Sequence, residues 1–543
     1  MAGEKAPPEA GSPFAPFGHR AFLLLWIATV ASNIGTWMHD VGAGWLMTEL
    51  APSPLMVAAV QSATTLPIFL FALLAGAVAD IVDRRKLLLG INAAMGLAAL
   101  AMTAFVHFGL MSPVLLLLFT FLFGTGTAFM APAWQAIVPK LVPRSDLSAA
   151  IALNSMGINV SRAIGPALAG FLIVAAGLAS PFLVNALSFI GIIAVLLWWK
   201  PKAEPASSLP SETIGGAIIS GLRYAWNSPA LTATLIRAAS FFLFASAFWA
   251  MLPLIARDVL SGGPTLYGIL LASVGAGAVG GAFLLPKIKK RLGADGTVAF
   301  GTIGTAVVMV LMALVPNQAI AVGAAALAGL SWIAVLSSLN VSAQTALPDW
   351  VRARGLSVFL TVFFGSMSLG SLVWGQVASI WGIPAALVAA SVGAIALIPL
   401  TRSSHLQQGA SQDLSPSMHW PEPVVAGDRE PDGPVMIQIT YRVEETRSQE
   451  FLTLVKTLAA SRRRGGGYRW SIMRDAADNT VYIETWWENS WLNHKRQHLH
   501  VTKEDEKVQE EIWALTVGEA KPIVRHLVQP ATEIDQRALR KAL

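Results

Sequence analysis

Two ionisable residues stand well inside long apolar runs of this sequence, Asp40 and Arg162. A charge in hydrocarbon is costly, so an acid or base kept there is a candidate for function. At about 1.5 Å of rise per helical residue, counted from the starts of their runs near Ala21 and Leu147, the two lie roughly 28 Å and 22 Å along. Their depths are similar enough for long side chains to meet. Were the two runs neighbours in the fold, such a pair could couple to a proton: a carboxylate that takes one up lets go of its cation, and one that loses it recaptures the cation. The alternatives are a static pair that locks two helices, or an Asp40 wet at the outer interface. His39, next to Asp40, is a residue type able to relay protons near neutral pH. Polar and aromatic groups at helical depth outline a candidate pocket: Asn33, Trp37, Trp134, Gln135, Asn154, Asn159, Trp332, Asn340 and Gln344. Each could instead make an interhelical hydrogen bond worth about 0.6 kcal/mol. A lining this aromatic and this poor in charge suits an amphipathic or aromatic small molecule better than a sugar phosphate.

The elements that must hold these residues are set by composition. The chain has 543 residues, 54% hydrophobic and 13% charged, with a mean hydropathy of +0.59. Soluble proteins carry about 25% charge. The apolar excess is confined to residues 1–402, which hold 20 Lys+Arg and 12 Asp+Glu, against 18 and 20 in 403–543. The basic residues of the first part fall between apolar runs, without the contiguous patch that nucleic-acid binding requires. No cysteine is present, so thiol chemistry and disulfides are excluded.

A membrane helix needs about 20 apolar residues. Twelve runs qualify, near 21–47, 54–79, 87–108, 113–136, 147–177, 181–199, 231–255, 265–285, 297–315, 318–345, 355–379 and 383–400. The first reads as a membrane helix and not a cleaved signal, since a 20-residue Pro-rich leader precedes it. Sixteen basic residues lie at the leader and every second connection, among them Lys5, Arg20, Arg84, Lys140, Lys200, Lys287 and Arg352. Only Arg257 lies on the opposite connections. The positive-inside rule then puts both termini in the cytoplasm of a multi-pass cytoplasmic (inner) membrane protein. Gln135-Ala-Ile-Val-Pro139 recurs 209 residues later as Gln344-Thr-Ala-Leu-Pro348. Both copies follow the fourth helix of a six-helix half, as a parallel repeat of two bundles with a substrate site between them would require.

Gly76-Ala-Val-Ala-Asp80-Ile-Val-Asp83-Arg84-Arg85-Lys86, between helices 2 and 3, resembles the cytoplasmic loop signature of the major facilitator superfamily. The resemblance implies a gate in which Asp80, Asp83, Arg84 and Arg85 pair across the bundle interface and Gly76 permits close helix approach; otherwise the basic residues only set topology. The matching stretch of the second half, Gly281 to Arg291, keeps the basic cluster, lacks the acid and gains Pro286, so any gate is asymmetric. In helix 5, Gly157, Gly165, Pro166 and Gly170 resemble the antiporter motif of exporters in this superfamily, with Ala169 where the pattern has a first glycine. Direction is implied by that resemblance only; helix packing alone is the other reading.

Residues 403–434 read as a Ser-, Gln-, Pro- and Gly-rich linker. After it, apolar periodicity gives strand 435–443, helix 448–461, strands 468–473 and 480–486, helix 502–516 and strand 522–528. This βαββαβ order points to a ferredoxin-like α+β domain. It resembles the small dimeric domains related to antibiotic-biosynthesis monooxygenases. Arg462 to Trp470, Val481 to Trp487 and Trp491 to His498 are similar to the C-terminal extension of the transmembrane secretion effector branch of the superfamily, which includes enterobactin-exporter-like proteins. Arg462, Arg463 and Arg464 read as a solvated basic turn, or as a contact for anionic lipid. His494, His498 and His500, at i, i+4 and i+6 without an HExxH glutamate, make a weak metal signal, so no metal and no cofactor are expected.

The expectation is an all-α polytopic membrane protein of two six-helix bundles with a C-terminal α+β domain. Its divisions are a cytoplasmic leader at 1–20, bundles at 21–200 and 231–402 joined by a loop at 201–230, the linker, a cytoplasmic domain at 435–528 and a tail at 529–543. No Walker motif GxxxxGK[ST] occurs, so the expected activity is secondary transport: export of an amphipathic small molecule such as a siderophore, antibiotic or drug-like metabolite, against protons or sodium. An importer or lipid flippase of the same fold, and a membrane-anchored sensor or monooxygenase-like enzyme acting through 435–528, are the competing readings. A homodimer through the C-terminal domain is a further possibility.

Overall fold

The computed structural model describes residues 13–51, 53–199, 214–407, 413–420, 433–517 and 522–529. Lys5, Lys200, Lys202, most of the linker and most of the tail lie outside the described residues, as do the side chains of Asp80 and Arg144. The first half is built from α1 (Arg20–Leu50), α2 (Pro54–Ile81), α3 (Arg84–His107), α4 (Pro113–Ile137), α5 (Leu147–Ala176) and α6 (Ser180–Trp198). Then come α7 (Ile214–Asn227), α8 (Pro229–Leu254), α9 (Pro264–Leu314), α10 (Gln318–Thr345), α11 (Arg352–Trp381) and α12 (Ile383–Leu400). Among the described residues, eleven helices are long and apolar enough to cross a membrane.

The expected twelve segments and the eleven helices are reconciled at one residue. The 51 residues of α9 contain Gly293 at φ 67°, ψ −171°, in the left-handed region that favours glycine. A straight helix of that length would run about 76 Å, more than twice the hydrocarbon thickness. Gly293 splits it into 264–292 and 294–314. The two halves also turn alike: Gly177 (φ 84°) ends α5 and Gly382 (φ 85°) ends α11, each after the fifth apolar segment of its half.

Helix ends are punctuated by sequence. Asp83 caps α3 by accepting from the Lys86 backbone N–H at 2.8 Å, and Ser112 caps α4 through Leu115 N–H at 3.3 Å. Proline opens α2, α4, α6, α9 and α12, where its missing N–H is harmless. Arg85 donates through Nε to Leu196 O at 2.6 Å and through Nη2 to Leu197 O at 2.9 Å, occupying the last carbonyls of α6. The loop signature therefore ties α3 to α6 within the first half through Arg85, where pairing across the bundle interface was expected. Gly76 has nothing within 4 Å of where a Cβ would sit, so it permits no close approach here.

Among the described residues, those within Met1–Ser211, Thr234–Asn340 and Phe359–Leu406 form one compact unit, and those within Glu212–Ala233, Val341–Val358 and Gln407–Leu543 form a second. In the first unit the halves touch backbone to backbone. A Cβ on Gly170 of α5 would lie 2.7 Å from Pro264 O, one on Gly268 of α9 would lie 2.6 Å from Pro166 O, and one on Gly275 would lie 2.9 Å from the Ala163 Cα. The α2 and α11 helices meet through Ser62 and Ser368, whose hydroxyls are 2.6 Å apart, through the Ser379 hydroxyl at 3.1 Å from Leu55 N, and at Gly375 against Ala58. Arg257 donates to the Thr48 carbonyl at the end of α1. Arg237 is only 6% exposed; it pairs with Asp295 at 3.3 Å and donates to Ser404 O at 3.1 Å.

The second unit contains β1 (Val435–Arg442), α13 (Ser448–Gly465), β2 (Tyr468–Arg474), β3 (Val481–Glu488), α14 (Trp491–His500), α15 (Lys503–Trp513) and β4 (Ile523–Val528). The strands form one antiparallel sheet in the order β2-β3-β1-β4, as the ferredoxin-like reading requires; α14 is an addition to the expected elements. Every second residue of β1, from Val435 to Tyr441, is buried against α13. The amphipathic α7, where no element was expected, packs in the same unit: Tyr224 Oη donates to Ala346 O at 3.1 Å, Arg354 donates to the Ser220 hydroxyl at 2.9 Å, and His500 stacks on Trp350 at 3.8 Å.

Arg462 corrects the reading of a solvated basic turn. It is 1% exposed and pairs with the equally buried Glu484 at 3.3 Å, between the rings of Trp486 (4.3 Å) and Trp420 (5.0 Å). Glu484 also accepts from Tyr441 Oη at 2.7 Å and Trp470 Nε1 at 2.9 Å. Burial and the adjacent carboxylate push the Tyr441 phenol well above its ordinary range.

Two outcomes follow. Gly268→Ala must displace backbone and should destabilise the protein by about 1–3 kcal/mol, whereas Gly76→Ala, in open space, should leave it unchanged or slightly stabilised; thermal unfolding in detergent reads both. Glu484→Ala leaves a buried guanidinium uncompensated and should cost about 3–5 kcal/mol, visible as loss of the cooperative transition of the α+β unit.

Candidate functional site

Two cavities lie along α1 and α5. The first, about 300 Å³, is where the halves meet and is lined from both: Trp37, Asp40, Gln61 and Arg162 from the first, Trp249, Tyr267, Trp332 and Phe363 from the second. The second, about 640 Å³, is lined by the first half alone, including Asn33, Asn92, Trp134, Gln135, Asn154 and Ile158. Glycines let α1 and α5 run close enough to frame both. A Cβ on Gly157 would lie 2.7 Å from Val30 Cγ2 and one on Gly165 would lie 2.6 Å from Trp37 Cβ. Trp26 Nε1 donates to Leu153 O at 2.9 Å, and the Ser161 hydroxyl donates to Val30 O at 3.2 Å. Within the antiporter motif the labour is divided: Gly157 and Gly165 face α1, while Gly170 and the Pro166 carbonyl face α9.

Asp40 and Arg162 share the first cavity, but the ion pair expected between them is not formed. No oxygen of one is within 4.0 Å of a nitrogen of the other, and among the described residues the Asp40 carboxylate makes no hydrogen bond or ion pair. Arg162 instead lies over the Trp37 ring, its Cζ 5.5 Å from the centroid, with Nε buried and unpartnered. A guanidinium on an indole face is held by the ring quadrupole. This is a weaker hold than a carboxylate would give. The α1 face toward the second half is tight around Gly44, where a Cβ would be 3.0 Å from Tyr267 Oη.

The other sequence candidates separate. Trp37 and Trp332 line the first cavity and Asn33, Trp134, Gln135 and Asn154 the second. Asn159 donates its amide to Ser155 O of its own helix at 2.9 Å, and Asn159, Asn340 and Gln344 line neither cavity. His39 is 1% exposed and points into the first bundle, its ring 4.1 Å from that of Phe123 and 5.1 Å from that of Phe182, with neither nitrogen hydrogen-bonded. Its imidazole faces away from the cavity that holds Asp40, and this geometry provides no relay. Sequence reasoning missed Gln61, Trp249 and Tyr267. Gln61 had a signal, an amide inside an apolar run three and four residues ahead of Thr64 and Thr65, which also line the cavity.

Two bundles that close on backbone contacts around an aromatic cavity holding one acid and one base define a secondary transporter of the major facilitator fold. Within that class, the chain belongs to the transmembrane secretion effector family, whose model matches residues 11–534. It is a multi-pass membrane transporter and not an enzyme. It is similar to a staphyloferrin A transporter of Staphylococcus aureus, 25% identical over 64% of this chain and 87% of that protein, and to the multidrug efflux pump Tap of Mycolicibacterium fortuitum, 25% identical over 68% and 92%. Macrolide efflux protein A of Streptococcus pyogenes is 25% identical over 49% of this chain and 65% of its own length. Among solved structures, a bacterial homologue of the lysosomal transporter Spinster, inward-facing and unoccupied, superposes with a TM-score of 0.56 at 15% identity, covering 71% of this chain and 97% of that one. A POT family transporter in complex with 5-aminolevulinic acid gives 0.58 at 14% identity, covering 71% and 96%. These likenesses carry the fold alone.

If cargo binds in the first cavity, Trp249→Ala removes an aromatic contact worth about 0.5–1.5 kcal/mol. Apparent cargo affinity in vesicles should fall roughly two- to tenfold, while Asn159→Ala should leave it unchanged.

Proposed function

We propose that the protein is a proton-coupled exporter of amphipathic small molecules, such as a siderophore, antibiotic or drug-like metabolite, acting in the cytoplasmic membrane with both termini in the cytoplasm. One observation carries the reading: Asp40 and Arg162 occupy the same inter-bundle cavity without pairing. A protonated Asp40 has no claim on Arg162, which rests on Trp37. Loss of the proton creates a carboxylate that draws the guanidinium off the indole, changing the shape and charge of the lining at the same moment. Cargo and proton then compete for one space, which is the requirement for exchange across alternating access. The names of the relatives, two efflux proteins and a staphyloferrin A transporter, support the direction and the cargo class. The basic bias of every second connection supports the orientation.

The test is lumenal pH in inside-out vesicles holding an imposed proton gradient, challenged with a panel of amphipathic cargoes. Wild type should leak protons when cargo is added, and Asp40→Asn, folded to the same extent, should not. A leak unchanged in Asp40→Asn would overturn the assignment of the carboxylate, and a cargo flux driven by sodium at zero proton gradient would overturn the ion.

A further inference from the structure

The second unit contains a histidine cluster that transport does not use. His494 and His498 lie at i and i+4 on α14, so they share one face of the helix, and His526 lies on β4 at the edge of the sheet. One nitrogen from each lies within 4.8 Å of one from each of the others. His494 Nε2 and His498 Nε2 are 3.1 Å apart, and the His526 ring centroid is 4.7 Å from that of His494. Two imidazole nitrogens that face each other this closely share a proton or a cation. Four-coordinate zinc with bonds of 2.0–2.1 Å places its ligand atoms about 3.3–3.4 Å apart, so the His494–His498 edge already has the spacing of a chelate.

The second, independent observation is Glu488. It is 1% exposed at the end of β3, its Oε1 accepts from Trp486 Nε1 at 2.9 Å, and its Oε2 stands 3.3 Å from His494 Nδ1, which is itself 1% exposed. The contact is an ion-pair distance without hydrogen-bond geometry, and a carboxylate on that side favours the proton at Nδ1 and the lone pair at Nε2, which faces His498. A carboxylate behind the ligating ring is the outer partner that positions a metal-bound histidine. Trp491 packs against both His494 and His526, with centroids at 5.5 and 5.8 Å, and Trp420 against His498 at 4.8 Å. The rings are thereby held by packing, while the half-buried His498 and His526 leave a way in from solvent.

We propose that His494, His498 and His526 bind a divalent late first-row transition metal ion, with Glu488 as the positioning carboxylate and a fourth coordination position open to water or an exogenous donor. Three neutral imidazoles with an open position suit Zn²⁺, and equally Co²⁺ as a spectroscopic substitute. The ion clips α14 to the free edge of the sheet, so its binding stabilises the second unit. The proposal is independent of the transport reading, because neither its residues nor its readout involves flux.

The experiment uses full-length protein purified in detergent without a polyhistidine tag, stripped with chelator, and titrated with ZnCl₂ by calorimetry and with CoCl₂ by visible absorption. Wild type should bind one Zn²⁺ per chain, raise the unfolding temperature of the α+β unit, and give the intense visible bands of four-coordinate Co²⁺. Glu488→Gln should keep the stoichiometry and bind roughly 10–100-fold more weakly. His526→Gln, at a sheet edge where folding is least at risk, should lose the Co²⁺ bands and weaken Zn²⁺ by more than Glu488→Gln does. His405→Gln, outside the cluster, should bind as wild type. Absence of a saturable site at one ion per chain, or an unaltered titration in His526→Gln with an unaltered apo melting curve, would overturn the proposal.

Discussion

Hydrocarbon offers no partner to a polar group, and the membrane part of this protein is organised by how that demand is met. Its hydroxyls are largely spent on their own helices: Thr36 donates to Ser32 O, Thr103 to Ala99 O, Thr120 to Leu116 O, Thr302 to Val298 O and Ser371 to Met367 O, at 2.7–3.0 Å. Against that background of internal satisfaction, Asp40 and Arg162 are the acid and the base of the inter-bundle cavity, and neither bonds the other. They are placed where the halves meet.

Two residues of the loop signature between α2 and α3 act inside the first half. Asp83 caps a helix and Arg85 closes the carbonyl end of α6, both within the first half. The halves meet in α5 against α9, in α2 against α11 and at Arg257, which donates to the Thr48 carbonyl. Each half must hold its own shape if a rocking motion is to be transmitted to the cavity.

The fold was legible because length and hydropathy are sufficient statistics for membrane helices, and because period-two and helical patterns alternate cleanly after residue 435. The break at Gly293 was legible too, since the apolar runs 265–285 and 297–315 lie on either side of it; only the backbone angle that makes it was not. The α7 helix escaped because an amphipathic segment in a connection has no apolar run. At the site, depth along a helix could be counted but azimuth could not. Asp40 and Arg162 therefore reached one cavity as counted, while adjacent His39, about 100° further round α1, turned into the bundle. Arg462 looked solvated in a row of arginines until the sheet supplied Glu484 from 22 positions away. His526 was invisible as a companion of His494 for the same reason: an antiparallel edge strand brings it back from 32 residues downstream.

The α5–α9 seam has an evolutionary consequence. Gly170, Gly268 and Gly275 meet their partners through main-chain atoms, so this contact between the halves is nearly blind to which side chains surround it. Trp37, Gln61, Trp249 and Tyr267 can change without touching those main-chain contacts. A lineage built this way can change what lines its cavity while conserving how its halves meet.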